Sequence, residues 1–141
     1  MNATDVLLAE LCSTVKHAAT HSSDYMDALS SLNILFPGIT VGALDILDQG
    51  HIVKLQTLTG RHIFQVSSPS GLFHCFDVEP LSCYCTEFKA NISRMTSSIM
   101  CKHLLAIRLA QHLDRVVVRN IADNSHFLRL IKSFMFDESP A

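Results

Sequence analysis

Four side chains in the second half of the chain carry the types and spacing of a metal site. They are Cys83-Tyr84-Cys85, then fifteen residues, then Cys101-Lys102-His103. Three thiolates and an imidazole are the donors Zn²⁺ takes in a tetrahedron, with Zn–S about 2.3 Å and Zn–N about 2.0–2.1 Å. Two Cys one residue apart at a strand end bring both sulfurs to one ion if the backbone turns between them. Cys101 and His103 straddle the start of a predicted helix, where the helix dipole favours thiolate over thiol. Three thiolates leave a Zn²⁺ site at net −1, which Lys102 and Arg94 can offset. The competing account is chance, since the chain has five Cys and eight His and Cys is often a small buried hydrophobe. Cys12 and Cys75 read that way. His74 and Cys75 are conceivable substitute ligands, but they lie in a strand pattern and read as core. The other His residues have no spaced partners and read as surface or packing residues. An odd number of Cys with no export signal favours metal ligands or core thiols over a disulfide framework.

The same arithmetic argues against catalysis. A zinc hydrolase keeps one coordination position open for water and places a carboxylate nearby as base. Here four donors are supplied, so the predicted site is closed and structural. Neither H-E-x-x-H nor the deaminase pattern H-x-E…P-C-x-x-C occurs. A RING-like ligase needs about eight ligands for two metals. No G-x-x-x-x-G-K-[ST] segment is present, so no phosphate-cradling loop is expected. The expectation is a protein that is not an enzyme.

The elements that must position these donors follow from periodicity. Leu7, Leu8, Leu11, Val15 and Ala18 recur at helical steps behind Thr4 and Asp5. Ser22-Ser23-Asp24 starts a second helix with Met26, Leu29, Leu32 and Phe36 on one stripe, ended by Pro37-Gly38. A third runs from Thr40 as N-cap through Val41, Leu44 and Leu47 to Gly50. From His51 the period becomes two. HIVKLQTL, RHIFQVSS and GLFHCFDV, joined at Thr59-Gly60 and Ser68-Pro69-Ser70, predict a three-stranded antiparallel meander. After Cys101 the helical pattern returns, with Leu104, Leu105, Leu109 and Leu113 inside and Arg108, Gln111, His112, Arg115 and Arg119 outside. Val116-Val117-Val118 is β-branched and an early end to that helix. A last amphipathic piece follows Asp123. The predicted class is α+β: an N-terminal helical region over 1–50, a zinc-binding strand–loop–helix domain with its meander over 51–119, and a C-terminal amphipathic helix and tail over 120–141.

Composition bounds the rest. The chain has 141 residues, 48% hydrophobic and 17% charged, with net charge −2, which suits a folded globular domain and not intrinsic disorder. No apolar stretch approaches the ~18–20 residues of a membrane span, and the acidic N-terminus is unlike a secretory signal. Residues 1–50 hold six acids and one base, whereas residues 83–119 hold six bases (Lys89, Arg94, Lys102, Arg108, Arg115, Arg119) and two acids. The basic half could track the phosphates of a nucleic acid, or its stripe could simply face water. The tail carries Phe127, Leu128, Ile131 and Phe134, more apolar side chains than one helix face buries alone. They point to a partner-facing surface, or to a tail that closes the back of the zinc module.

The segment CYC…CKHLLA resembles the SWIM zinc-binding pattern, Cys-x-Cys, a variable spacer, then Cys-x-His, with small Ala106 three positions after the His. FPGITVGALDILDQGHIVKLQTLTGRHIFQV and IMCKHLLAIRLAQ extend the likeness to the small SWIM-containing subunits of Shu complexes in homologous recombination. The spacer TEFKANISRMTSSIM is more polar than that family leads one to expect, a departure that concerns local packing. The resemblance implies Cys83, Cys85, Cys101 and His103 as ligands of one structural zinc. It also implies a nuclear role in DNA repair, as a heterodimer with a small RecA-like recombinase paralogue. That pair would promote recombinase filament assembly on single-stranded DNA, which it reaches through the complex. The alternative is a SWIM module that binds nucleic acid on its own.

Overall fold

Apolar residues recur every three or four positions before residue 50 and at short, strand-like steps from 51 to 76, and the backbone changes with them. The computed structural model describes residues 3–17, 22–69, 71–76, 82–83, 85, 88, 101–121 and 124–135. Three helices come first: α1 (Ala3–His17), α2 (Ser22–Leu35) and α3 (Thr40–Gln49). Strands β1 (His51–Thr57), β2 (His62–Ser68), β3 (Gly71–Phe76) and β4 (Ser82–Cys83) follow, then α4 (Lys102–His112), β5 (Val117–Ile121) and α5 (Asn124–Met135). The class is the expected α+β, with N-terminal helices, an antiparallel meander, a strand–loop–helix bearing the Cys/His cluster and a C-terminal helix. Among the described residues, no helix is long and apolar enough to cross a membrane.

The reversal between α2 and α3 uses Gly38 at φ +86°, a left-handed conformation that side chains resist. Thr40 does not cap α3 as predicted; the residue before that helix is Ile39. Its buried hydroxyl instead shares its one proton between the carbonyls of Phe36 (2.8 Å) and Leu32 (3.2 Å). Those carbonyls close the end of α2, where Leu32 O also accepts the Phe36 N–H at 2.9 Å, so Thr40 ties two helices together. Gly50 ends α3, its N–H donating to Ile46 O at 2.8 Å. A Cβ there would overlap the Ser67 carbonyl oxygen of the adjoining strand.

The sheet order is β4-β3-β2-β1-β5. The first four strands form an antiparallel meander, with Ile52 opposite Val66 and Phe64 opposite Cys75. A fifth strand was not expected. β5 lies parallel to β1, Val53 opposite Val117 and Thr57 opposite Ile121. Helix α4 ends not because valines follow but because Asp114 turns left-handed at φ 56°. The Arg115 N–H then reaches back to Ala110 O at 2.9 Å, the long closing bond of a Schellman turn. The three valines are thereby freed for the strand. Arg119 accordingly sits on β5 and not on the helical stripe.

Alternation along the strands divides the interior in two. One face presents Ile52, Phe64, Val66 and Cys75 to Leu8, Leu32, Ala43, Ile46 and most of α4, forming the main core. α4 is its central rod, with all residues from His103 to Ile107 buried, along with Leu109 and Ala110. The other face presents Val53, Leu55, Ile63 and Ile121 to Phe127 of α5.

Candidate metal centre

Each donor is placed by an element that the main core holds. β4 pairs with β3 so that Cys83 stands opposite Cys75, and the pleat turns both towards the helices. Cys85 follows two residues on, buried, its sulfur accepting the Phe88 N–H at 3.2 Å. Cys101 is the extended residue that starts α4, and its carbonyl accepts the Leu105 N–H at 3.2 Å. His103 lies in the first turn, where its ring packs on Phe73 of β3, centroids 4.2 Å apart. The donor atoms of Cys83, Cys85, Cys101 and His103 all lie within 4.8 Å of one another, and all four residues are buried.

Those spacings fit a zinc tetrahedron. Ligand distances of about 2.3 Å for sulfur and 2.0–2.1 Å for nitrogen imply donor–donor edges of roughly 3.5–3.8 Å. Cys83 Sγ and His103 Nδ1 are 3.8 Å apart. Apolar burial of three thiols and an imidazole at one point lacks purpose without an ion. The cluster suits one zinc ion, and four protein donors make it a closed, structural site.

The electrostatics of the thiols point the same way. Hydrogen bonds from Cys101 and Cys83 hold the Cys85 thiol well below its ordinary range, against the effect of burial. Cys101 is pushed up by its contacts with Cys83 and Cys85 and by burial. Cys83 is drawn down by Cys101, but Cys75, Cys85 and burial together raise it. The cluster therefore holds one thiolate readily and resists a second. A divalent cation reverses this by displacing the remaining thiol protons, so binding must release protons and weaken in acid.

Of the other residues singled out in the sequence, Cys12 and Cys75 are core thiols, as read. His74 lies on the opposite sheet face, paired with Gln65. Lys89 and Arg94 fall outside the described residues. Lys102 and Arg108 are half-buried on α4, whereas Arg115 and Arg119 are exposed beyond it. The tail divides. Phe127 is 3% exposed and belongs to the chain's own second core, which corrects its assignment to a partner surface, because the sheet face opposite the zinc needs a cover. Ile131 packs against that core, Leu128 is 45% exposed, and the Phe134 side chain is outside the described set. Phe88 was missed. Its contribution is a backbone N–H to sulfur, which no side-chain pattern announces.

The chain is 33% identical over 117 residues to human zinc finger SWIM domain-containing protein 7, covering 83% of this chain and 81% of that one. It belongs to that SWIM zinc-finger family. The mouse protein of the same name is 30% identical over 117 residues, covering 83% and 75% of the two chains. The zebrafish protein is 35% identical over 98 residues, 69% of each. No protein-family profile and no solved structure matches the chain. All four donors of the SWIM pattern are present here, and they converge at one buried point.

Proposed function

We propose that this zinc-binding protein is a non-enzymatic adaptor of a Shu-type complex. In that reading it pairs with a small RecA-like recombinase paralogue in the nucleus and helps a recombinase filament assemble on single-stranded DNA during recombination repair. The observation that supports an adaptor over an enzyme is closure of the metal site: four protein donors, all buried, leave no position for substrate or water. The zinc then serves to hold β4 and α4 in one rigid frame. The paralogue partner and the recombination role rest on the SWIM-family likeness. Leu128 on the outer side of α5 remains available for partner contact. Among the described basic residues of 83–119, Arg115 and Arg119 are the exposed ones and suit phosphate contact within the complex. The same two arginines favour the second reading, a module that binds nucleic acid alone.

Co-purification with the tagged full chain, followed by a salt titration of single-stranded DNA binding, separates the two. The adaptor brings down a RecA-like protein, binds DNA weakly alone and more tightly with that partner. Arg115→Glu with Arg119→Glu then lowers the complex's affinity and flattens its salt dependence by roughly one to two released counterions. DNA binding by the lone chain as tight as by any complex would establish the autonomous module. Absence of a RecA-like protein from the purified material would overturn the adaptor.

A further inference from the structure

Helices α1 and α2 form a hairpin with two apolar seams, one inside the fold and one largely outside it. Leu8, Cys12, Ala28 and Leu32 are buried in the chain. Leu7 from α1 and Ile34 and Leu35 from α2 are exposed, and with Leu11, which also packs partly on the core, and Glu10, Thr14 and Ser31 they line a groove of about 370 Å³. Leu7 is 44% exposed, Leu35 41% and Ile34 78%. A single exposed leucine is ordinary, whereas four large aliphatic side chains converging on one depression mark a contact site. A volume of this size accepts a few anchor side chains, the way a helix lays its apolar face between two others.

Charge selects the occupant. Glu10 forms part of the groove wall, and exposed Asp27 lies one turn before Ser31 on α2. Glu10 and Asp27 make the groove's border acidic, which repels nucleic acid, anionic lipid and a second copy of the same groove. We propose that the α1–α2 groove receives an amphipathic helix of a partner protein, with leucine-like anchors flanked by Lys or Arg, completing a three-helix bundle. This surface goes beyond the recombination reading and does not depend on it, because it specifies the chemistry of a bound helix and not the pathway of its owner.

The test uses the full zinc-loaded chain and synthetic helical peptides of about 15–20 residues, followed by fluorescence anisotropy. One peptide carries leucines at i, i+3, i+4 and i+7 with lysine flanks. A second keeps the leucines with glutamate flanks, and a third has the lysine composition with the leucine spacing scrambled. The first peptide is expected to bind roughly tenfold or more tightly than either control. Ile34→Glu, at a position that is mostly solvent, should weaken it by roughly tenfold or more while zinc content stays unchanged. Glu10→Lys with Asp27→Lys should shift preference towards the glutamate-flanked peptide. Equal binding of all three peptides, no binding of the first, or indifference to Ile34→Glu overturns the proposal. A dimer in sedimentation that Ile34→Glu dissolves also overturns it, by assigning the groove to a second copy.

Discussion

The two faces of the sheet are covered by different kinds of interior. The face towards α1, α3 and α4 is a broad apolar core that closes at one end on three sulfurs and an imidazole. The face towards α5 is a small patch of Val53, Leu55, Ile63, Ile121 and Phe127, with Phe76, Leu130 and Ile131 around it. On the first face, β4 pairs with β3 through two residues among those described, too little to fix Cys83 against α4 by hydrogen bonds. There a metal substitutes for secondary structure. On the second face one aromatic anchor and a single helix suffice, because the strands beneath it are already paired. A small domain has limited core to draw on, and this one reinforces the face where its chain pairing is thinnest.

Removing the metal should test that contrast most severely. Structural zinc contributes an apparent binding energy of roughly 10–16 kcal/mol, comparable to or above the roughly 5–15 kcal/mol of a whole domain. A chelator, or Cys85→Ser, should therefore dismantle the helical face and leave an aggregation-prone chain, seen as loss of cooperative unfolding and of bound zinc. Retention of a native-like melting transition without zinc would remove the distinction between the faces. Phe127→Ala should act more locally. Truncating a buried Phe costs about 3–5 kcal/mol, so α5 should detach and the melting temperature fall. Zinc content and protection of α4 amides in hydrogen exchange should stay near wild type. Loss of zinc in that variant would mean that the two interiors fold as one.

Much of the first interior was legible in the residues. Cys83-x-Cys85 and Cys101-x-His103 identify the donors because metal chemistry restricts both type and spacing, and Thr59-Gly60 marks a hairpin because few residues take that turn. The second interior was harder to read. Val116-Val117-Val118 suits a helix end and a strand equally, and its parallel partner β1 lies some sixty residues back along the chain. Nothing local reveals that pairing. The same missing strand explains Phe127: without β5 and the sheet face it completes, an apolar tail reads as surplus surface. Thr40 misled for another reason, since one hydroxyl serves equally to cap the helix ahead or the carbonyls behind, and only packing decides between them.

A smaller effect distinguishes the faces by pH. On the α5 side, Gln65 Nε2 and His74 Nε2 lie 3.0 Å apart, a contact in which the amide donates to a neutral ring. Burial lowers the His74 pKa from 6.5 to about 4. The unfolded chain thus takes up this proton first as pH falls, so the contribution is complete above 6.5 and is lost towards pH 4. His74 is only half-buried, which keeps the effect modest. His74→Gln should lose less stability than wild type between pH 6.5 and 5 in denaturant titrations at saturating zinc. Identical pH profiles would show that His74 titrates as an ordinary exposed imidazole.

One zinc on three sulfurs and one nitrogen holds the helical face, with Cys75 excluded although it stands directly across from Cys83. X-ray absorption at the zinc edge of the purified full chain, with metal quantified on the same sample, measures this directly. One zinc per chain is expected, with three sulfurs at about 2.3 Å and one nitrogen at about 2.0–2.1 Å, unchanged in Cys75→Ala. Folded protein with less than one zinc, a shell of four sulfurs, or a light oxygen ligand in place of a sulfur would contradict it.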